Sequence, residues 1–411
     1  MHVTIVTDNF PPESNAPATR QYEHARHWVR AGQRVTVLTC APNFPEGKVY
    51  PGYNNRWRQI EELDGIRVVR LKTFMAENKG TLLRTLDYAS FMAASVAGGV
   101  LEAKPDVVLA SSPQFFAAVG GWQLARAQRV PFVFEVRDLW PASIVAVGAL
   151  RDSPIIAALE RLELHLYDRA SAVVVVTEAF REDIVRRGVP DHKLHVVPNG
   201  VDVDAAQGER DAALCREHGL DGKFVVGYVG THGMAHGLDR VLDAAELLRD
   251  IPDVVFILAG GGAERSRLEE RVTRAALDNV RMIPRQPKAR VPALLRACDV
   301  TLIPLRNEPV FATVVPSKLF EAMAYGVPIL MSVPDGEATA LLRSAGCGEC
   351  LPPEDPLALA TAVRRLRSAP ELLARYRARG LAAAPRYSRR KQAERLLEIL
   401  QGVAGRVVTG P

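Results

Sequence analysis

Four valines in a row, Val173 to Val176, leave their strand without a polar face. Such a strand must be covered on both sides, the condition of a parallel sheet held between layers of helix. The chain repeats the theme. Seven alternating residues end in the loop Asp8-Asn9-Phe10-Pro11-Pro12, and strands follow at Arg34–Thr39, Ile66–Leu71, Asp106–Ser111, Phe132–Val136 and Ala172–Thr177. Helical patterns separate them. The first runs from about Pro17 to Arg30, with proline in its first turn and Gly32 just past its end. Val197-Pro198-Asn199-Gly200-Val201-Asp202 breaks the rhythm, and a polar stretch follows to about Lys223. Strand and helix then alternate again from Phe224–Val229 through Val254–Ala259, Val280–Ile283, Val300–Ile303 and Val327–Met331. With 411 residues the chain has room for two domains. The pattern predicts an α/β protein of two doubly wound domains facing across a cleft, the first over 1–199 and the second over 200–387.

Other classes are excluded early. The longest apolar candidate, Tyr88 to Leu101, has 14 residues and contains Ser90, Ser95, Gly98 and Gly99, too short to span a bilayer. The first residues lack a basic leader, and the five cysteines are odd in number and scattered, so a cytoplasmic location is expected. The net charge is +5, and eleven Lys or Arg stand between Arg364 and Arg395 against Glu371 and Glu394. Such a stretch could meet nucleic acid, anionic lipid or a phosphorylated substrate, or be a solvated helix face. It lacks aromatic interleaving or a nucleic-acid motif, and no nucleic-acid partner is expected.

Ligands of open α/β sheets bind beyond the carboxyl ends of the strands. The second half places Gly230-Thr231-His232-Gly233, Ala259-Gly260-Gly261-Gly262 and Pro316-Ser317-Lys318 after strands. Glycines there let backbone amides approach an anion, and a helix start adds its positive end. Together the loops suggest a phosphorylated ligand. They lack the dinucleotide and Walker spacings, which disfavours NAD and ATP hydrolysis. Ser317 is expected to cap the helix that carries Lys318, whose ammonium suits a diphosphate, and Glu321 could take two ribose hydroxyls. The bland alternative is a capped amphipathic helix with Glu321 in solvent. Clusters with convincing metal-ligand spacing are lacking, so no metal is expected. Cys347-Gly348-Glu349-Cys350 reads as structural, and His24 with His27 lacks the glutamate of a zinc helix.

Several segments carry a resemblance when taken in order. They are Thr7 to Pro12 with Ala18-Thr19-Arg20, Asn43 to Gly52, Val136-Arg137-Asp138-Leu139-Trp140-Pro141, the hinge Val197 to Asp202, the loop at Gly230, and Pro316 to Pro328. Nearly the whole chain resembles a family-4 glycosyltransferase of GT-B architecture, of the type that assembles bacterial surface polysaccharides. The resemblance implies two Rossmann-like domains, the first binding acceptor and the second donor, with a final helix at about 388–403 packing back on the first. It implies a donor set of Gly230, Thr231, His236, Gly260, Arg285, Ser317, Lys318 and Glu321. Asn15 and Arg20 would serve the phosphate loop and acceptor side, and Asp138 and Glu13 are the carboxylates offered to catalysis. Asp138 reads equally as a helix cap.

The expected reaction is retaining transfer of a hexosyl or N-acetylhexosaminyl group from a nucleotide-diphosphate sugar, UDP first. The acceptor would be a glycan or lipid-linked sugar, with peripheral contact to the inner membrane and without cofactor or metal. Two features depart from the family. Thr313 stands where a second glutamate usually pairs with Glu321, and His232, His236 and Arg240 stand where an Arg and a Lys usually follow the first glycine loop. A nucleotide-sugar epimerase and a non-catalytic sugar-nucleotide-binding subunit remain alternatives on this frame.

Overall fold

A computed structural model of the chain describes residues 1–13, 15–44, 47–75, 81–112, 114–141, 154–203 and 208–408. Ser14, in the loop after the first strand, and Pro45 and Glu46, within the stretch from Asn43 to Gly52, lie outside them. The chain divides into two compact units, 1–199 with 389–411, and 200–388.

Unit 1 contains β1 (His2–Val6), β2 (Arg34–Cys40), β3 (Arg58–Leu63), β4 (Ile66–Leu71), β5 (Val107–Ser111), β6 (Phe132–Val136), β7 (Ala172–Val175) and β8 (Leu194–Val196). They form one sheet in the order β3-β4-β2-β1-β5-β6-β7-β8, parallel except where β3 runs against β4. β1, β5, β6 and β7 are buried along their whole length, as their apolar runs require. One face packs Val3, Ile5, Val107 and Val133 on Ala25 and Trp28 of the first helix and on Ala393, Leu396 and Leu400 near the C-terminus. The Trp28 indole N–H donates to the Ala393 carbonyl, 2.8 Å, so helices Ala16–Arg30 and Arg389–Val408 are locked together. Asn15 caps the first of them by accepting the Ala18 amide at 2.9 Å, with Pro17 in its first turn.

Unit 2 is a six-stranded parallel sheet of β9 (Phe224–Val229), β10 (Val254–Ala259), β11 (Val280–Ile283), β12 (Val300–Pro304), β13 (Ile329–Ser332) and β14 (Gly348–Leu351). Its order is β11-β10-β9-β12-β13-β14. Alternate residues of β10 feed opposite layers: Val254, Phe256 and Leu258 meet Leu242 and Val363, while Val255 and Ile257 meet Leu294 and Cys298. In each sheet the chain winds one way from its first strand and then crosses to the other side, at β1/β5 and at β9/β12. Those switch points are where loops part and ligands enter. Among the described residues no helix is long and apolar enough to cross a membrane.

Candidate active site

Gly230 opens the loop after β9, the switch strand of unit 2. Its φ is +152°, and a side chain there would stand 2.5 Å from Lys318 Cε and 2.6 Å from Nζ. Glycine is what admits the lysine. Gly260, φ +151°, closes on the Gly230 carbonyl oxygen, which a Cβ would overlap. The amides of Gly230, His232 and Gly260 donate to the carbonyls of Ala259, Gly261 and Ile283 at 2.8, 2.8 and 3.0 Å. These amides therefore knit the loops to each other, and the expected amide cradle for an anion is not formed by them.

What these loops enclose is an amine. Lys318 is the second residue of the helix Ser317–Tyr325, and its Nζ is buried 3.7 Å from the centroid of the Tyr228 ring. Among the described residues Nζ has no hydrogen-bond partner. Burial pushes this amine down to about 7, against the opposing pull of the Glu321 carboxylate. Glu321 lies one turn further along the same face and is half-buried. Tyr228 is fixed beneath them, its hydroxyl donating to the Thr231 carbonyl at 2.6 Å. Thr231 and Arg285 are exposed, each in a loop that follows a strand of this sheet.

One expectation needs correction here. Ser317 is the first helical residue rather than the cap; Pro316 holds that position and no side chain caps it. His236 stands as a neutral imidazole, because burial and then the Lys318 charge push it down to about 3. His232 is likewise neutral, pushed down to about 4 by burial, Arg265 and Lys318. Arg240, the third candidate after the first glycine loop, is paired with Asp243 at 3.0 Å. Thr313, in place of the usual glutamate, turns its hydroxyl back to the Val310 carbonyl at 2.7 Å. Lys318 is thus the cation pressed against Gly230, and Arg265 is engaged behind it by the Gly260 and Ile283 carbonyls.

In unit 1 the structure redirects Arg20. Its Nε meets Glu135 Oε1 at 2.9 Å, Nη1 donates to the Pro198 carbonyl at 2.8 Å, and Nη2 to that of Val197 at 2.9 Å. The guanidinium is a buried strut beneath the chain entering the hinge, with its donors used inside the unit. Glu135 was missed by sequence reasoning, although a charge inside the apolar strand Phe132–Val136 is itself a signal. It is fully buried and also accepts from Gln21 and from Ser111 Oγ, the latter at 2.7 Å. Burial works to raise its carboxyl, but Arg20 and Arg137 overcome this and hold it at about 2.

Glu13 is also buried, and burial raises it to about 7. Its oxygens accept the amides of Phe10, Asn43 and Phe44 at 3.1, 2.9 and 2.8 Å, tying two loops together. Asn15 is engaged as the helix cap. Asp138 stands half-buried just past β6, its carbonyl accepting the Trp140 amide at 3.0 Å. The residues after Pro141, where the helix it was expected to cap would run, lie outside the described residues from 142 to 153.

Comparison with known proteins matches residues 15–200 to the model of the glycosyl transferase 4-like domain and 213–382 to that of the glycosyl transferases group 1. A glycosyl transferase of Escherichia coli (strain K12) assigned to colanic acid biosynthesis, WcaI, is 26% identical over 89% of this chain and 92% of its own. A GDP-mannose-dependent alpha-mannosyltransferase of Mycobacterium tuberculosis is 28% identical over 68% of each. Among solved structures, Anabaena HepE in complex with UDP and glucose superposes with a TM-score of 0.73 at 19% identity, over 97% of this chain and 99% of that one.

Proposed function

Since the chain belongs to the family-4 glycosyltransferases of GT-B fold that serve surface polysaccharide biosynthesis, we propose that it is a retaining, metal-independent enzyme taking its sugar from a UDP-sugar. The acceptor is a glycan or a lipid-linked sugar at the cytoplasmic face of the membrane. One observation carries the donor reading: a buried amine without a hydrogen-bond partner among the described residues, pressed against Gly230 at the carboxyl end of the switch strand. As the bond from sugar to phosphate breaks, negative charge grows on the departing diphosphate, and a fixed cation stabilises that growth more than it stabilises the bound donor. Lys318 supplies the cation, and Glu321 holds the ribose. In retaining transfer of this type the departing phosphate oxygen can take the acceptor proton, so the chain need not supply a strong base. The sugar moved is a hexose or an N-acetylhexosamine, met by the backbone from Thr313 to Val315.

Calorimetric titration with UDP, GDP and ADP tests the donor reading. UDP is expected to bind at least tenfold tighter than the others; GDP belongs in the panel because one relative is GDP-mannose-dependent. Failure of all three to bind would remove the transferase reading. Product analysis then separates a new glycosidic bond from an epimerised donor.

The carboxylates make a second test. Asp138→Ala is expected to lower turnover at least tenfold while UDP affinity stays within twofold, and full activity would take Asp138 out of the mechanism. Glu13, tied to three amides, acts as a positioning residue.

For the peripheral membrane contact the candidate surface is on unit 1. Trp57, Phe74, Leu83 and Leu86 are 65%, 47%, 48% and 50% exposed, with Lys72 and Arg84 also exposed among them. Leu83 and Leu86 lie one turn apart on the helix Thr81–Gly99. Leu83→Glu with Leu86→Glu should reduce sedimentation with phosphatidylglycerol vesicles several-fold and leave UDP affinity unchanged. Equal sedimentation would place the apolar rim elsewhere.

A further inference from the structure

The carboxyl end of β6 holds a cation that its neighbours leave incompletely matched. Arg137 follows the strand directly, and its amide donates to Ser112 Oγ at 2.8 Å, pinning it beside the end of β5. Nε and Nη1 are buried and have no hydrogen-bond partner among the described residues. Glu135, two residues back and on the same side of the strand, attracts it most strongly, but that carboxylate is already shared by Arg20, Gln21 and Ser111. Asp138 attracts it more weakly. His24 adds no charge: burial and the neighbouring arginines hold its imidazole well below the usual range. Two guanidiniums therefore converge on one buried carboxylate.

Burying a cation without its full set of partners is costly, and a native chain that keeps one invites a functional explanation. The arginine fork matches a carboxylate or a phosphate in two parallel hydrogen bonds. Three residues on, Trp140 stacks on Phe115 with centroids 4.8 Å apart and planes at 23°, and remains half-exposed. An aromatic face at the strand end suits the C–H side of a pyranose ring.

We infer that Arg137 binds an oxyanion carried by the acceptor, a uronate carboxylate or a sugar phosphate, and selects anionic acceptors over neutral ones. This rests on the transferase reading. The test titrates the full chain, with UDP saturating the donor site, against methyl glucoside, methyl glucuronide and glucose 1-phosphate. At least one anionic sugar should bind tenfold tighter than methyl glucoside, and which one does so tells carboxylate from phosphate. Arg137→Gln should abolish the preference, Arg137→Lys should weaken the preferred anionic sugar at least threefold, and UDP affinity should stay within twofold in both. The inference is overturned if the wild type shows no preference, or if the preference survives in Arg137→Gln. It is also overturned if that variant weakens UDP tenfold, which would put Arg137 in the donor site. Should Arg137→Gln not fold, Arg137→Lys decides, and unchanged affinity there for the anionic sugar that the wild type prefers sinks the idea. Failure of the wild type to bind UDP counts against the UDP-donor reading, while the paired glycosides, titrated alone, still judge the oxyanion site.

Discussion

Lys318→Ala is expected to lower kcat by two to three orders of magnitude, about 3–4 kcal/mol of transition-state stabilisation, the usual cost of removing one fixed group aimed at developing charge. The fold should survive, because the amine makes no hydrogen bond among the described residues and its stem is half-buried. KM for the donor should rise less than kcat falls, since charge on the diphosphate is greatest as the sugar leaves. The amine also predicts a pH signature. Held at about 7, it is half neutral at that pH, and a bound diphosphate favours its charged form. UDP affinity should therefore weaken by up to tenfold per pH unit above 7, and binding at pH 8 should take up close to one proton. Calorimetry in buffers of different ionisation enthalpy measures that uptake. In Lys318→Ala the uptake and the steep pH dependence should vanish together. If they persist, another group carries the proton, and His232 and His236 are the nearest candidates.

The frame was legible where burial on two faces left its mark. Val173 to Val176 and the fully buried Val254–Ala259 announce parallel strands by composition alone. β3 escaped because Arg58–Leu63 is largely polar, the state of an antiparallel edge strand whose outer side meets water. β8 escaped because its three residues carry too short a pattern. In the site, the helix bearing Lys318 and Glu321 was readable from local order, since both residues lie within a turn of its start. The lysine's burial against Tyr228 was not, because 90 residues separate the two in the chain and only the sheet joins them. The same holds for Arg20 and Glu135, 115 residues apart. Sequence spacing shows that Arg20 belongs to a helix start; the carboxylate that claims it appears only when β6 lies beneath that helix. The histidines illustrate a third limit: their types suggest charge, and burial removes it.

Arg20→Ala is accordingly expected to act on stability and not on donor binding. Removing one partner of a buried pair costs about 3–5 kcal/mol when the other charge is left alone, and the loss here should lie toward the low end of that range because Arg137 still faces Glu135. Glu135 would keep Arg137, Gln21 and Ser111, while the Val197 and Pro198 carbonyls would lose their donors. The urea midpoint at pH 7 should fall clearly, with UDP affinity within twofold for the molecules that remain folded. The pH dependence follows from the sign of the Glu135 shift. Its carboxyl is held at about 2 in the folded chain, below the ordinary glutamate range near 4.3. The pair's stabilisation is thus fully present above about pH 4.5 and drains away as pH falls toward 2. In Arg20→Ala that protection is reduced, and acid unfolding should begin at a higher pH than in the wild type. Replacing both partners, Arg20→Met with Glu135→Leu, should not recover the loss at pH 7, because Arg137 would then be buried without its strongest attraction. A normal urea midpoint in Arg20→Ala, combined with tenfold weaker UDP binding, would return Arg20 to the phosphate side of the site.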